Sequence, residues 1–419
     1  MKRAIFAIPI CICISSTHAL AVDWSLNAAL TETTELNDNL FLRRMLAGGT
    51  LASYTTITAN AVARTPTSRF SLDTDFTYNK YWGGTEGVPL TETTSNGVNA
   101  HYETFGKDPA NREYVDASWR RQNVALAILS NLGIQTPATG DIDTATLRGG
   151  IERDLSARDF ASLSARSTLT YYDPSSGGIQ FLDTSALATW KHKVSGITSL
   201  RASSEAEWLS YNNATNTSIL ILRNQAGVDL ALSPLLDFHG SAGAAYVQAS
   251  QQGTAVTPVS VTPFLTGALP SGSGSAVGFI GDMTIIYRIL KSTTLTFTAS
   301  KSVAPDVLGS LLQTSSVGTT LAYSINQVSA LTFSGNLSRL TGRAPTDFLS
   351  ATVAYNRLLT REWRANLSYR YLHRSSGVGS LGSFDPITGL PLASGSGPAS
   401  SNAIILAVSR DFSILPPGN

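Results

Sequence analysis

Charged side chains and five histidines, four of them past residue 21, are the groups in this 419-residue chain that could do chemistry. Arg364 and Arg370 alternate with Trp363, Leu367, Tyr369 and Tyr371, so one face of that segment is ionic and the other aromatic. A period of two is a strand with two different environments. The same parity collects Arg148, Glu152, Arg166, Arg201, Glu205, Glu207, Arg223, Asp229, Asp282 and Arg288 on the polar faces of other segments, with Asp73 and Asp75 earlier. Interleaved charges of both signs can order water and select polar or charged solutes on a channel wall. They can equally form cross-strand pairs that only satisfy a polar interior.

Other chemistries find less support. Past residue 21 only His101, His192, His239 and His373 remain, and no Gly-x-Ser-x-Gly elbow or His/Glu metal spacing accompanies them. A His-Ser pair could still assemble across strands, for instance around His373. The glycine-rich stretch 271–278 lacks the following Lys-Ser/Thr of a phosphate cradle. The expectation is therefore no catalytic residue, no metal and no cofactor.

The leader narrows the class. Lys2 and Arg3, an apolar stretch from Ala4 to Ile14, and Ala19-Leu20-Ala21 read as a signal peptide over 1–21. Both cysteines, Cys11 and Cys13, lie within it, so the mature chain has no disulfide and no thiolate chemistry. Without Lys2 and Arg3 the balance is 28 basic to 29 acidic residues, which argues against a nucleic-acid partner. Charged residues are 14% of the chain, below the roughly 25% of soluble proteins. No apolar run beyond the leader is long enough for a membrane helix. If the mature chain crosses a membrane, it must do so as a closed barrel.

The alternation supports that architecture. Leu331, Phe333 and Leu337 oppose Thr332, Ser334, Asn336 and Ser338, and comparable segments recur at about the length a tilted strand needs to span a bilayer. Short turns at 155–158, 193–196, 233–236, 290–293, 326–329 and 358–361 alternate with longer loops such as 251–274, 302–313 and 375–398. Turns short at one end and loops long at the other are the habit of outer-membrane barrels. The expected fold is all-β: an antiparallel up-and-down barrel of about eighteen strands, 50–64, 68–82, 112–127 and 159–172 among them, with sixteen as the alternative. It would cover 22–412, with a short periplasmic tail at 413–419. Loop 251–274 carries three prolines and no charge, and is either an inward constriction or an external loop.

Trp190, Tyr287, Tyr323, Tyr355 and Trp363 fall beside the short turns, whereas Trp208, Tyr246 and Tyr371 fall toward the long loops. Two interfacial girdles are expected from this. Phe412 closes the last strand and resembles the signal read by the barrel assembly machinery. Arg410 stands where that signal is usually apolar, and seven residues follow Phe412.

The opening Leu30-Thr-Glu-Thr-Thr-Glu-Leu-Asn-Asp-Asn39-Leu resembles the start of the β-barrel porin type 2 family, which includes barrels of exopolysaccharide and PEP-CTERM systems. The regular hairpins from 143 to 412 resemble it too. The resemblance implies a Gram-negative outer-membrane location, outer-membrane lipid as surroundings and polysaccharide-export components as partners. A porin-like channel is the leading expectation. A surface-interaction barrel whose long loops bind a partner or polysaccharide is the alternative.

Overall fold

The computed structural model describes residues 22–40, 42, 48–83, 91–106, 111–124, 127, 140–173, 179–212, 217–250, 274–305, 311–341, 346–376 and 398–415. The first six strands are β1 (Asp23–Asn37), β2 (Thr50–Arg64), β3 (Ser68–Trp82), β4 (Glu92–Phe105), β5 (Arg112–Asn123) and β6 (Asp141–Asp154). They continue as β7 (Asp159–Tyr172), β8 (Phe181–Lys193), β9 (Thr198–Tyr211), β10 (Ser218–Ser233), β11 (Leu236–Ser250) and β12 (Gly274–Leu290). The last six are β13 (Thr293–Pro305), β14 (Leu311–Asn326), β15 (Ser329–Thr341), β16 (Thr346–Leu358), β17 (Trp363–Ser376) and β18 (Ala399–Leu415). Each pairs antiparallel with its sequence neighbours, and β1 closes on β18, giving an eighteen-stranded up-and-down barrel. Closure gives every strand two neighbours, the condition for strands to live in lipid.

Side-chain parity fixes inside and outside. Ile57, Phe76, Leu147, Leu163, Phe279, Leu337, Leu367 and Leu406 are all exposed, on the outer face. Exposed apolar residues on this scale belong against hydrocarbon rather than water.

The short turns have a local chemical cause. In three of them a hydroxyl accepts two backbone N–H groups: Ser156 from Arg158 and Asp159, Ser195 from Ile197 and Thr198, Thr360 from Glu362 and Trp363. Each turn is also closed by paired backbone bonds, as from Leu155 and Ser156 to the carbonyl of Asp159. A Ser or Thr at that position holds the turn through its side chain.

Some boundaries differ from the alternation-based expectation. β5 ends at Asn123 instead of running to 127, because Val124 and Ala127 are buried in an apolar cluster inside the barrel. β18 continues to Leu415, which pairs with Leu26 of β1, so the strand passes Phe412 into the segment expected as a tail. Loop 251–274 lies outside the described residues apart from Gly274, the first residue of β12.

Candidate functional site: the lumen

Strand parity turns the fourteen charged residues expected on the lumen face inward, and most meet partners from neighbouring strands. On the wall from β7 to β12, Arg166 Nη2 lies 3.0 Å from Asp183 Oδ2 and 3.3 Å from Glu207 Oε1. Arg223 reaches Glu205 at 2.9 Å and Glu207 at 2.5 Å. Arg201 lies 3.3 Å from Asp282, which also accepts a bond from the Ser241 hydroxyl. Asp229 pairs with Lys191 at 2.7 Å and with His239 at 3.0 Å. Glu207 is only 2% exposed. A carboxylate so buried needs its cations, because removing one would leave an uncompensated charge.

Lower on the barrel, Arg112 bridges Glu152 at 2.6 Å and Glu103 at 3.8 Å. His101 meets Asp116 at 2.5 Å, and Arg148 stacks over the Tyr114 ring at 5.4 Å. Asp75 and Arg120 pair at 2.8 Å although β4 runs between their strands. The residue between them is Gly97, where a Cβ would come within 2.2 Å of Asp75 Oδ1. Asp73 takes a bond from Asn60 at 2.5 Å. At the turn end Arg288 pairs with Asp237 at 2.7 Å and Arg364 with Asp411 at 2.5 Å.

The opening segment has an inner face of its own. Glu35 meets Arg370 at 2.7 Å, accepts from Asn37 at 2.8 Å and lies 3.3 Å from the Tyr54 hydroxyl. Asn37 accepts from Ser401 at 2.8 Å, and Asn39 donates to the Ser400 carbonyl at 2.9 Å. Arg374 donates to the Leu42 carbonyl at 2.9 Å. Leu42 is 1% exposed with φ at 49°, an uncommon conformation for a non-glycine residue. These bonds hold Asn39 and Leu42 in the outer mouth, beside a cavity of about 470 Å³ lined by Tyr54, Asn79, Tyr81, Thr93 and Arg370.

Across the mouth a second inward mass is apolar. Phe181, Leu209, Tyr211, Ile219, Ile221 and Val247 face inward above the charge network and are buried together with Val124 and Ala127. The wall from β13 to β16 is different. Its inner face carries Thr296, Thr320, Ser334 and Thr352 on one continuous row and Thr298, Gly318, Asn336 and Ser350 on the next. No inward side chain of those rows is charged, and Thr298 and Ser300 are exposed to the interior.

Sequence parity missed Glu35, Glu103, Arg112, Asp116, Asp183 and Arg374. Asp183 shares the alternation of Phe181 and Ser185 and was readable there. Glu103 and Asp116 fall in the first third, where alternation is least regular.

The girdle candidates all lie on outward positions, Trp190, Trp208, Tyr287, Tyr323 and Trp363 being exposed and Tyr246, Tyr355 and Tyr371 half-buried. Phe412 also faces out, with the Arg410 guanidinium 4.8 Å from its ring and 5.5 Å from that of Trp363. Arg410 also lies 3.4 Å from Glu362. Sandwiched between two rings at the turn end, the cation is accommodated where an apolar residue is usual. His373 Nδ1 lies 2.8 Å from Ser400 Oγ on the outer face. No acidic group orients the far side of that imidazole among the described residues, so the pair lacks the third member of a hydrolytic triad. No cluster among the described residues has metal-site composition.

No protein-family model matches the chain, and no curated protein matches it. Solved structures do. The FrpB iron transporter from Neisseria meningitidis (F3-3 variant) is similar at a TM-score of 0.50 and 7% identity, over 93% of this chain and 81% of that one. Its F5-1 variant scores 0.49 at 8% identity, over 93% and 82%. The copper transporter OprC scores 0.49 at 8% identity, over 95% and 82%. At such identity the likeness to FrpB is one of fold: this chain is a β-barrel of the outer-membrane type.

Proposed function

We propose that this protein is an outer-membrane porin-like channel that passes polar solutes by passive diffusion, with a secreted polysaccharide as the solute class. The observation that carries the reading is the two-sided lumen. An ion-paired wall adjoins an uncharged wall of hydroxyl and amide groups, continuous in register from β13 to β16. Hydroxyl and amide rows exchange hydrogen bonds with sugar hydroxyls about as readily as water does, so a sugar polymer passes without being held. Eighteen strands enclose an interior too wide for side chains alone to fill. The resemblance of the Leu30–Leu40 segment to exopolysaccharide-associated barrels supports the same solute class. Outer-membrane lipid, the barrel assembly machinery and polysaccharide-export components are the partners this reading entails.

Planar-bilayer recording of refolded protein tests it. Discrete conductance steps, reduced by added neutral oligosaccharide, are expected. Absence of conductance in every salt and voltage tried would sink the channel. Conductance indifferent to oligosaccharide would remove the polysaccharide and leave a general pore.

A further inference from the structure

The barrel wall parts at the seam between β12 and β13. The β12–β13 ladder ends at Gly281 opposite Lys301. Beyond it, β12 runs seven residues further, 274–280, paired with β11 alone. β13 continues from Ser302 to Pro305 paired with β14 alone. The cause lies three strands away on β10: Arg223 donates to the Val303 carbonyl from Nη2 at 2.6 Å and from Nε at 3.2 Å. Strand parity would turn Val303 outward with Phe297 and Ala299, yet Val303 is 1% exposed inside the inner apolar cluster. Arg223 thus draws the end of β13 away from β12.

A cavity of about 660 Å³ occupies the parting, within the roughly 300–1,000 Å³ of small-molecule sites. Its lining crosses the wall. Phe279, Val317 and Leu337 come from the lipid face, where all three are exposed, and Asp282, Ser300 and Ser316 from the lumen face. Lys301 stands at the crossing point. Its rung partner Gly281 offers no side chain, and a Cβ there would come within 2.7 Å of the Ser241 carbonyl. Asp282 is already engaged by Arg201 and Ser241, and Lys301 has no ion-pair partner among the described residues. A strand edge released from its neighbour cannot face bare hydrocarbon. Among the described residues the backbone of 274–280 has no partner on its β13 side, next to an ammonium that has no ion-pair partner there.

We infer that the parted β12–β13 seam is a lateral portal that takes a single-chain anionic amphiphile from the surrounding leaflet. Lys301 and the free β12 edge bind the head group, and Phe279, Val317 and Leu337 carry the acyl chain. A fatty-acid carboxylate and a lysophospholipid phosphate share this chemistry.

Native mass spectrometry of the refolded mature chain, with palmitate, lysophosphatidylglycerol and uncharged monopalmitoylglycerol added separately, tests the portal. One anionic amphiphile per barrel should be retained in preference to the uncharged one. Lys301→Glu should weaken retention by about tenfold or more, the loss expected for a charge-assisted bond. Lys291→Glu, in the turn at the other end of β12, should leave it unchanged. Quenching of Phe279→Trp fluorescence by brominated palmitate should saturate and should be lost when Lys301→Glu is added. Retention of palmitate alone would assign a free fatty acid, and retention of lysophosphatidylglycerol a leaflet lipid. Equal retention of the uncharged amphiphile, or binding and quenching indifferent to Lys301→Glu in protein that still shifts on heating in a gel, would overturn the proposal.

Discussion

The two walls of the lumen are built from the same strand pattern and reach opposite solutions. From β7 to β12 long charged and apolar side chains stand on the inner face among shorter Ser, Thr and Gly. They bury one another: Glu207 is held by Arg166 and Arg223, and Leu209, Ile219 and Ile221 are fully buried above it. From β13 to β16 the inner residues are mostly Ser, Thr, Asn, Gly and Ala, with Phe348 and Leu340 toward the outer end, and the short ones meet across rungs only in pairs such as Ser300–Ser316 at 2.8 Å. One wall spends its polar groups on itself, and the other leaves them for whatever passes. Polarity alone therefore does not mark a solute path. Unused polarity does.

The largest expected effect comes from breaking the packed wall. Arg223→Met leaves Glu205 and Glu207 without that cation and releases the Val303 carbonyl. A loss of about 3–5 kcal/mol is expected for a broken buried pair. A urea titration of folded barrel, read as the heat-shifted gel band, should show it; an unchanged midpoint would mean the network is not structural. Next is Gly97→Leu, whose side chain overlaps the Asp75–Arg120 pair. About 1–3 kcal/mol should be lost by overpacking, in the same assay. The open wall should respond in selectivity rather than stability. Ser334→Glu, placed among Thr320 and Thr352, should shift the reversal potential of a salt gradient toward cations. No shift would place the ion path elsewhere. Smallest of all is Arg339→Ala. Its 2.7 Å pair with Asp347 is solvent-exposed on the outer face, and no measurable change in the urea midpoint is expected.

Much of this was legible in sequence. β2, β3 and β7 begin and end where the alternation places them, because one apolar face and one polar face leave a strand a single register. Arg166, Arg223 and Arg370 could be assigned inward from parity alone. Their partners could not. Glu35 meets Arg370 only because β1 closes on β18, 335 residues apart in the chain. Leu42 and Val124 looked like loop and strand residues, and both are buried inside the mouth by contacts to distant strands. Val303 is the sharpest failure of parity: a periodic rule assumes that the ladder continues, and two bonds from Arg223 end it.

The sequence by itself determined most of the strands, their two faces, the tight hydroxyl-held turns and the inward direction of charges such as Arg166 and Arg223, all properties of neighbouring residues along the chain. Only the tertiary structure decided which charges neutralise one another, which wall stays open and where the barrel parts. Those outcomes depend on side chains meeting across a closed sheet, and closure sets distances that no local period encodes.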